Sequence, residues 1–112
     1  MGNITAKVVS IPQKIESVTI STRSDPPHGY RVVQENGLIL ANSSSFPYNS
    51  KTKERACMME AMNMAQEECV RLGGNYILGT HFEIKQFGES GTRMCYSLTG
   101  TACVVRSGDG TY

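Results

Sequence analysis

One segment with a helical period lies between two stretches of strand-like sequence, and that arrangement restricts the chain to an α+β fold. In residues 50–72 the apolar positions Met58, Ala61, Met62, Ala65, Cys69 and Leu72 recur every three or four residues, which lines one face of an α-helix. Asn49 or Ser50 can cap its start by accepting a free backbone N–H, and Gly73-Gly74 supplies a left-handed stop after Leu72. A chain of 112 residues is of a size that builds one core, so a single domain is expected.

The flanks read as strands. Residues 17–22 alternate polar and apolar side chains until Ser24-Asp25-Pro26-Pro27-His28-Gly29, where two prolines remove backbone donors and end the strand. Residues 30–41 follow as its expected hairpin partner, with Glu35-Asn36-Gly37 marking a bulge or sharp bend. After the helix, residues 75–87 and 92–106 form a second hairpin around Gly88-Glu89-Ser90-Gly91. Alternation places Tyr76, Leu78, Thr80, Phe82 and Ile84 on one face of the first, and Met94, Tyr96, Leu98, Ala102 and Val104 on one face of the second. The expected architecture is β-β-α-β-β, a mainly antiparallel four-stranded sheet packed on one long helix. Residues 1–16 form an extension that can add an edge strand or an arm, residues 17–106 the domain, and residues 107–112 a flexible tail.

Composition removes several classes of function. Eleven basic residues against ten acidic ones leave a net charge of +1 spread along the chain, which argues against nucleic acid or an anionic membrane as an obligatory partner. No apolar run is long enough to span a bilayer, and the N-terminus lacks the basic start and apolar stretch of a secretory signal, so a cytoplasmic location is expected. Met1-Gly2 does not make a myristoylation site, because Ala6 stands where the motif needs Ser or Thr. Asn3-Ile4-Thr5 and Asn42-Ser43-Ser44 are chance matches to glycosylation acceptors in a chain without an export signal. Cys57, Cys69, Cys95 and Cys103 show no C-x-x-C pair and are expected as free thiols.

Around the helix end, Ala61, Ala65 and Leu72-Gly73-Gly74-Asn75-Tyr76-Ile77-Leu78-Gly79-Thr80, with Phe82 and Glu83, resemble the YbjQ-like family, whose domains also carry a heavy-metal-binding designation. Gly100-Thr101-Ala102-Cys103-Val104-Val105 is similar to that family's closing strand and residues 30–40 to its second, so the resemblance covers roughly residues 17–106. It implies a β-β-α-β-β unit assembled into a homo-oligomeric ring, typically a pentamer, of unestablished biochemical role. The short connection into the helix and the added residues 1–16 depart from the pattern.

Read physically, the shared residues are structural. Gly73 caps the helix, Gly79 and Gly100 permit close backbone approach, and Ala61 and Ala65 let the helix lie near the sheet. Soft sulfur ligands suit copper(I) or zinc, yet Met58, Met62 and Cys69 lie on the apolar stripe with Leu72 and read as core. Cys57, Glu60, Met64 and Glu67 fall on a neighbouring helix face, where subunit contact is the expected role. Cys57 and Cys69 are about 18 Å apart along a helix, and Cys95 and Cys103 about 27 Å along a strand, so neither pair holds one ion. Cys95, Ser97, Thr99, Thr101 and Cys103 alternate onto the sheet face away from the helix, with His81 and Glu83 on the same face of the neighbouring strand. His81, Glu83, Cys95 and Cys103 are therefore the candidate ligands for a small molecule or soft metal ion. No catalytic residues are assigned: His28 and His81 are the only histidines, and no pattern sets either against a thiol. The expected function is a non-enzymatic self-associating module that acts as a scaffold or binds a small ligand between subunits; the alternative is soft-metal or chalcogen binding through Cys and His at subunit boundaries.

Overall fold

A computed structural model describes residues 17–107; the expected N-terminal strand or arm and residues 108–112 of the expected tail fall outside them, while Ser107, expected as tail, ends β5 opposite Tyr30. The elements are β1 (Thr19–Ile20), β2 (Tyr30–Asn42), β3 (Phe46–Pro47), α1 (Lys51–Arg71), β4 (Tyr76–Phe87), a 3₁₀ turn (Glu89–Gly91) and β5 (Arg93–Ser107). The expected α+β architecture is present, with one helix against a five-stranded mixed sheet ordered β1-β4-β5-β2, and β3 continuing along β5 beyond the end of β2.

Two strand assignments differ from the sequence reading. β3 lies in the short connection between the second expected strand and the helix, residues 42–48, which reads as loop; Phe46 anchors it, 1% exposed, with its ring stacked 5.6 Å from that of Tyr96. The other difference concerns β1, which forms no hairpin with β2 but pairs in parallel with β4, Thr19 opposite Tyr76 and Ile20 opposite Ile77. Val18 explains the choice, since it is buried in the main core with Ile39, Ile77 and Leu98. Pro26 and Pro27 cannot donate to a ladder, so the chain leaves the sheet there, and the preceding turn is tied down by Gly79 N–H donating to Arg23 O (2.7 Å) and Thr80 N–H to Ser21 O (3.0 Å).

α1 begins at Ser50, whose hydroxyl accepts from Lys53 N–H. It ends with Gly73 N–H bonded to Val70 O and Gly74 N–H to Cys69 O, the paired closure that a glycine at positive φ makes possible. Its line of closest approach is Cys57, Ala61, Ala65 and Cys69, all buried, with Met58, Met62 and Leu72 half-buried beside it. Cys57 is thus a core residue, packed with Phe46, Ala61 and Tyr96, and not part of a free helix face. Small side chains on this line let the helix settle against the sheet, while the larger methionines fill the flanks.

A bulge in β4 changes which face its residues occupy. Leu78 stands opposite Thr101 but His81 opposite Thr99, so one extra β4 residue is accommodated at Gly79-Thr80. Gly79 has φ +62°, with open space where a side chain would begin, so its conformation and not a close approach explains the residue. Ile77, Phe82 and Ile84 therefore face the helix side, whereas Tyr76 and Leu78 share the other face with Cys103 and Thr101. β2 carries two irregularities, one of them at the expected Glu35-Asn36-Gly37. There Asn36 Nδ2 donates to Leu72 O at 2.6 Å, so the bend reaches across to satisfy a carbonyl at the helix end.

Candidate functional site

The sheet face away from α1 carries the candidate residues, and strand register decides which of them meet. Directly opposed residues share a face, so Glu35, Leu38 and Leu40 on β2 line up with Cys103, Thr101 and Thr99 on β5. From β4 come Tyr76, Leu78, His81, Glu83 and Lys85, opposite Cys103, Thr101, Thr99, Ser97 and Cys95 respectively. The alternation assigned to Cys95, Ser97, Thr99, Thr101 and Cys103 holds.

His81, Glu83, Cys95 and Cys103 do not converge. Both cysteines lie four β5 residues from Thr99, the partner of His81, a separation of about 13 Å along the strand. Among the described residues no group of three or more His, Cys, Asp or Glu side chains is placed to hold a metal ion. Cys103 is removed from the surface altogether: it is 2% exposed in a small cluster with Leu78 and Val105, flanked by Val32 and Tyr76. His81 and Glu83 are exposed and Cys95 is half-buried. Of the proposed helix contacts, Met64 and Glu67 are exposed, whereas Glu60 receives Ser44 N–H (2.8 Å) and Ser44 Oγ–H (3.1 Å) and holds the β2–β3 loop. His28 is exposed in the proline-containing loop.

At the centre of the open face is a depression of about 410 Å³ lined by Leu38, Leu40, Gly79, Thr99 and Thr101 with the backbone of Ile39 and Gly100. Two leucines and two threonines are the exposed or half-buried side-chain-bearing residues of its lining. Leu38 is 83% exposed and Leu40 65%, while Ile39 between them is 1% exposed. A smaller hollow of about 140 Å³, lined by Ser24, Val32, Glu35, Leu78 and Cys103, adjoins it through Gly79 and Thr101. The sequence reading passed over Leu38 and Leu40, although Leu38-Ile39-Leu40-Ala41 is a continuous apolar run, the pattern of a strand covered on both faces. Only one face is covered within the described residues.

On the helix side, Tyr96 is 7% exposed and donates its hydroxyl to Glu54 at 2.9 Å, with the edge of Phe82 against its ring. Burial, and then the Glu54 carboxylate, raise its pKa. Burial likewise raises the thiols of Cys69 and Cys103; for Cys103 the negative charge of Glu35 adds to the effect. These native groups keep protons that the unfolded chain releases, so their contribution is intact below the unfolded pKa and is lost as pH rises. Urea midpoints are expected to hold steady in neutral solution and decline above about pH 9, where an unfolded thiol ionises. Tyr96→Phe should flatten the part of that decline above about pH 10. A midpoint that rises with alkali would contradict these assignments.

No family model matches the chain, and no curated protein matches it in sequence. Among solved structures it is similar to a protein of unknown function belonging to the DUF74 family, from Pediococcus pentosaceus, with a TM-score of 0.60 and 16% identity over 80% of this chain and 98% of that one. That likeness shows the fold. No helix of the described residues is long and apolar enough to cross a membrane.

Proposed function

We propose that this chain is a non-enzymatic, cytoplasmic self-assembling module whose copies pair through their sheet edges into a homo-oligomeric ring, with a small ligand held between them. The neighbour's DUF74 family is the YbjQ-like family, and the agreement of that fold with the motifs around Leu72-Gly73-Gly74 and Gly100-Thr101-Ala102 supports membership in it.

The observation that carries the reading is the exposed pair Leu38 and Leu40 on β2, which stands last in the strand order of the described sheet. Beyond the two irregularities of β2, Leu38 and Leu40 lie on a regular stretch of strand, and exposed apolar stretches of this kind are association surfaces unless something covers them. Among the described residues no strand pairs with β2 on the side away from β5, and none pairs with β4 beyond Thr80 on the side away from β5. One edge lies at each end of the sheet, so pairing β2 of one copy with β4 of the next is head-to-tail, the kind of contact that closes into a ring when its rotation allows.

Pentameric symmetry is the ring size that the family resemblance favours. A soft metal would need Cys95 or His81 from more than one copy, since one copy's residues do not meet.

Native mass measurement tests the proposal. The expected result is a multiple of 12.2 kDa for the unmodified protein, and a single-chain mass with unchanged helix content for the double variant Leu38→Lys, Leu40→Lys. A single-chain mass for the unmodified protein would end the proposal, and a variant that stays assembled would move the interface off this face.

A further inference from the structure

The bend in β2 contains the chain's one Asn-Gly sequence, Asn36-Gly37. In such a pair the glycine amide nitrogen can attack the asparagine side-chain carbonyl. The new N–Cγ bond closes a succinimide ring, the side-chain nitrogen leaves as ammonia, and water then opens the ring to aspartate or isoaspartate. The reaction needs no catalyst or cofactor. It does need the Asn36 side chain to swing toward its own C-terminal neighbour, and glycine permits this because no side chain obstructs the attack.

Here that side chain is held elsewhere. Asn36 Nδ2 donates to Leu72 O at 2.6 Å, joining β2 to the C-terminal end of α1 across 36 residues of sequence. The amide orientation follows from chemistry, because the flipped form would set two carbonyl oxygens against each other. Asn36 Oδ1 is buried and has no hydrogen-bond partner, so the amide is committed to this one contact. The Leu72 side chain closes over the same place, 3.5 Å from where a Gly37 Cβ would stand.

We propose that Asn36-Gly37 is a self-modification site gated by this clasp: deamidation occurs when the bend lifts from the helix end, and its product cannot close again. The product replaces the amide donor with a carboxylate. That group has no proton to give to Leu72 O and places negative charge beside the negative end of the helix dipole. The isoaspartate form also adds a backbone atom within a strand. The event is irreversible and converts a transient local opening into a lasting change at the junction of β2 and α1.

The test compares ammonia loss at Asn36, followed by peptide mass mapping, in the folded protein and in concentrated urea at the same mildly alkaline pH. Asn42-Ser43 and Asn49-Ser50 serve as internal references. Modification in the folded protein should be slower by at least about tenfold, equivalent to about 1.4 kcal/mol of local opening. The purified Asn36-modified protein should melt at a lower temperature than the unmodified one. Equal rates folded and unfolded would show that the clasp does not gate the reaction. An unchanged melting temperature after modification would show that the clasp holds nothing in place, and either result overturns the proposal.

Discussion

Replacing Gly100 with alanine is expected to destabilise the fold by about 1–3 kcal/mol, a loss of roughly 5–20 °C in the thermal midpoint of a domain of this size. An added Cβ would stand 2.6 Å from Ile77 Cγ2, 3.3 Å from Leu78 O and 3.4 Å from Thr80 Oγ1. Ile77 is 0% exposed, packed with Val18, Ile39 and Leu98, and has nowhere to retreat. Space at this crossing of β4 and β5 also accommodates the Gly79-Thr80 bulge, so displacement of Ile77 would be felt by the strand that carries His81. Ile77→Leu removes the Cγ2 methyl at nearly constant volume and should cost under about 1.5 kcal/mol alone. In the double variant the combined loss should fall well short of the sum, because the clash is shared. Additive losses by urea unfolding would show that the contact with Ile77 is not the source.

Asn75→Ala is expected to cost about 2–4 kcal/mol, because it leaves two backbone groups of a largely buried residue without partners. Asn75 Nδ2 donates to Val105 O at 3.1 Å, and Val105 N–H donates to Asn75 Oδ1 at 2.9 Å. The side chain thus continues the β4–β5 ladder one step beyond the start of β4, and Asn75 N–H adds a bond to Cys103 O at 2.9 Å. Val105 is 7% exposed, so water is a poor substitute on that side. Asn75→Asp should not restore stability, since it keeps the acceptor for Val105 N–H but turns a second oxygen toward Val105 O. Hydrogen exchange at the Val105 amide locates the effect. It should accelerate more than exchange at Leu98, and unchanged protection at Val105 would contradict the assigned role.

The parts of this fold that were legible in the sequence are those set by local rules. Ser50 and Gly73-Gly74 bound α1 because capping chemistry acts within a few residues. The hairpin around residues 88–91 is legible for the same reason. The partner of β1 was not, because parallel pairing with β4 depends on where Val18 finds a core, and that core is assembled from residues far away in sequence. The faces of β4 were misassigned at a single glycine: the alternation from Tyr76 to Ile84 looks unbroken, but Gly79 at φ +62° takes up an extra residue and reverses everything before it. In β2 the run Leu38-Ile39-Leu40-Ala41 carries a signal for apolar side chains on both faces of the strand, Leu38 and Leu40 on the open one, which a reading based on alternation alone passes over. Cys103 shows the reverse, a soft ligand in sequence that Leu78 and Val105 enclose in the fold.

The position of β5 in the sheet has a consequence for synthesis. It is the last of the described strands in chain order, yet β2, β3 and β4 all pair with it. On a ribosome the earlier strands emerge with their apolar faces and edges exposed and with no template on which to align. α1 can form as it emerges, since its hydrogen bonds are local, but it has no completed sheet to pack on until residues 93–107 are free. The sheet therefore cannot close until residues 93–107 are in place, because β5 is the strand that joins β4 to β2 and β3.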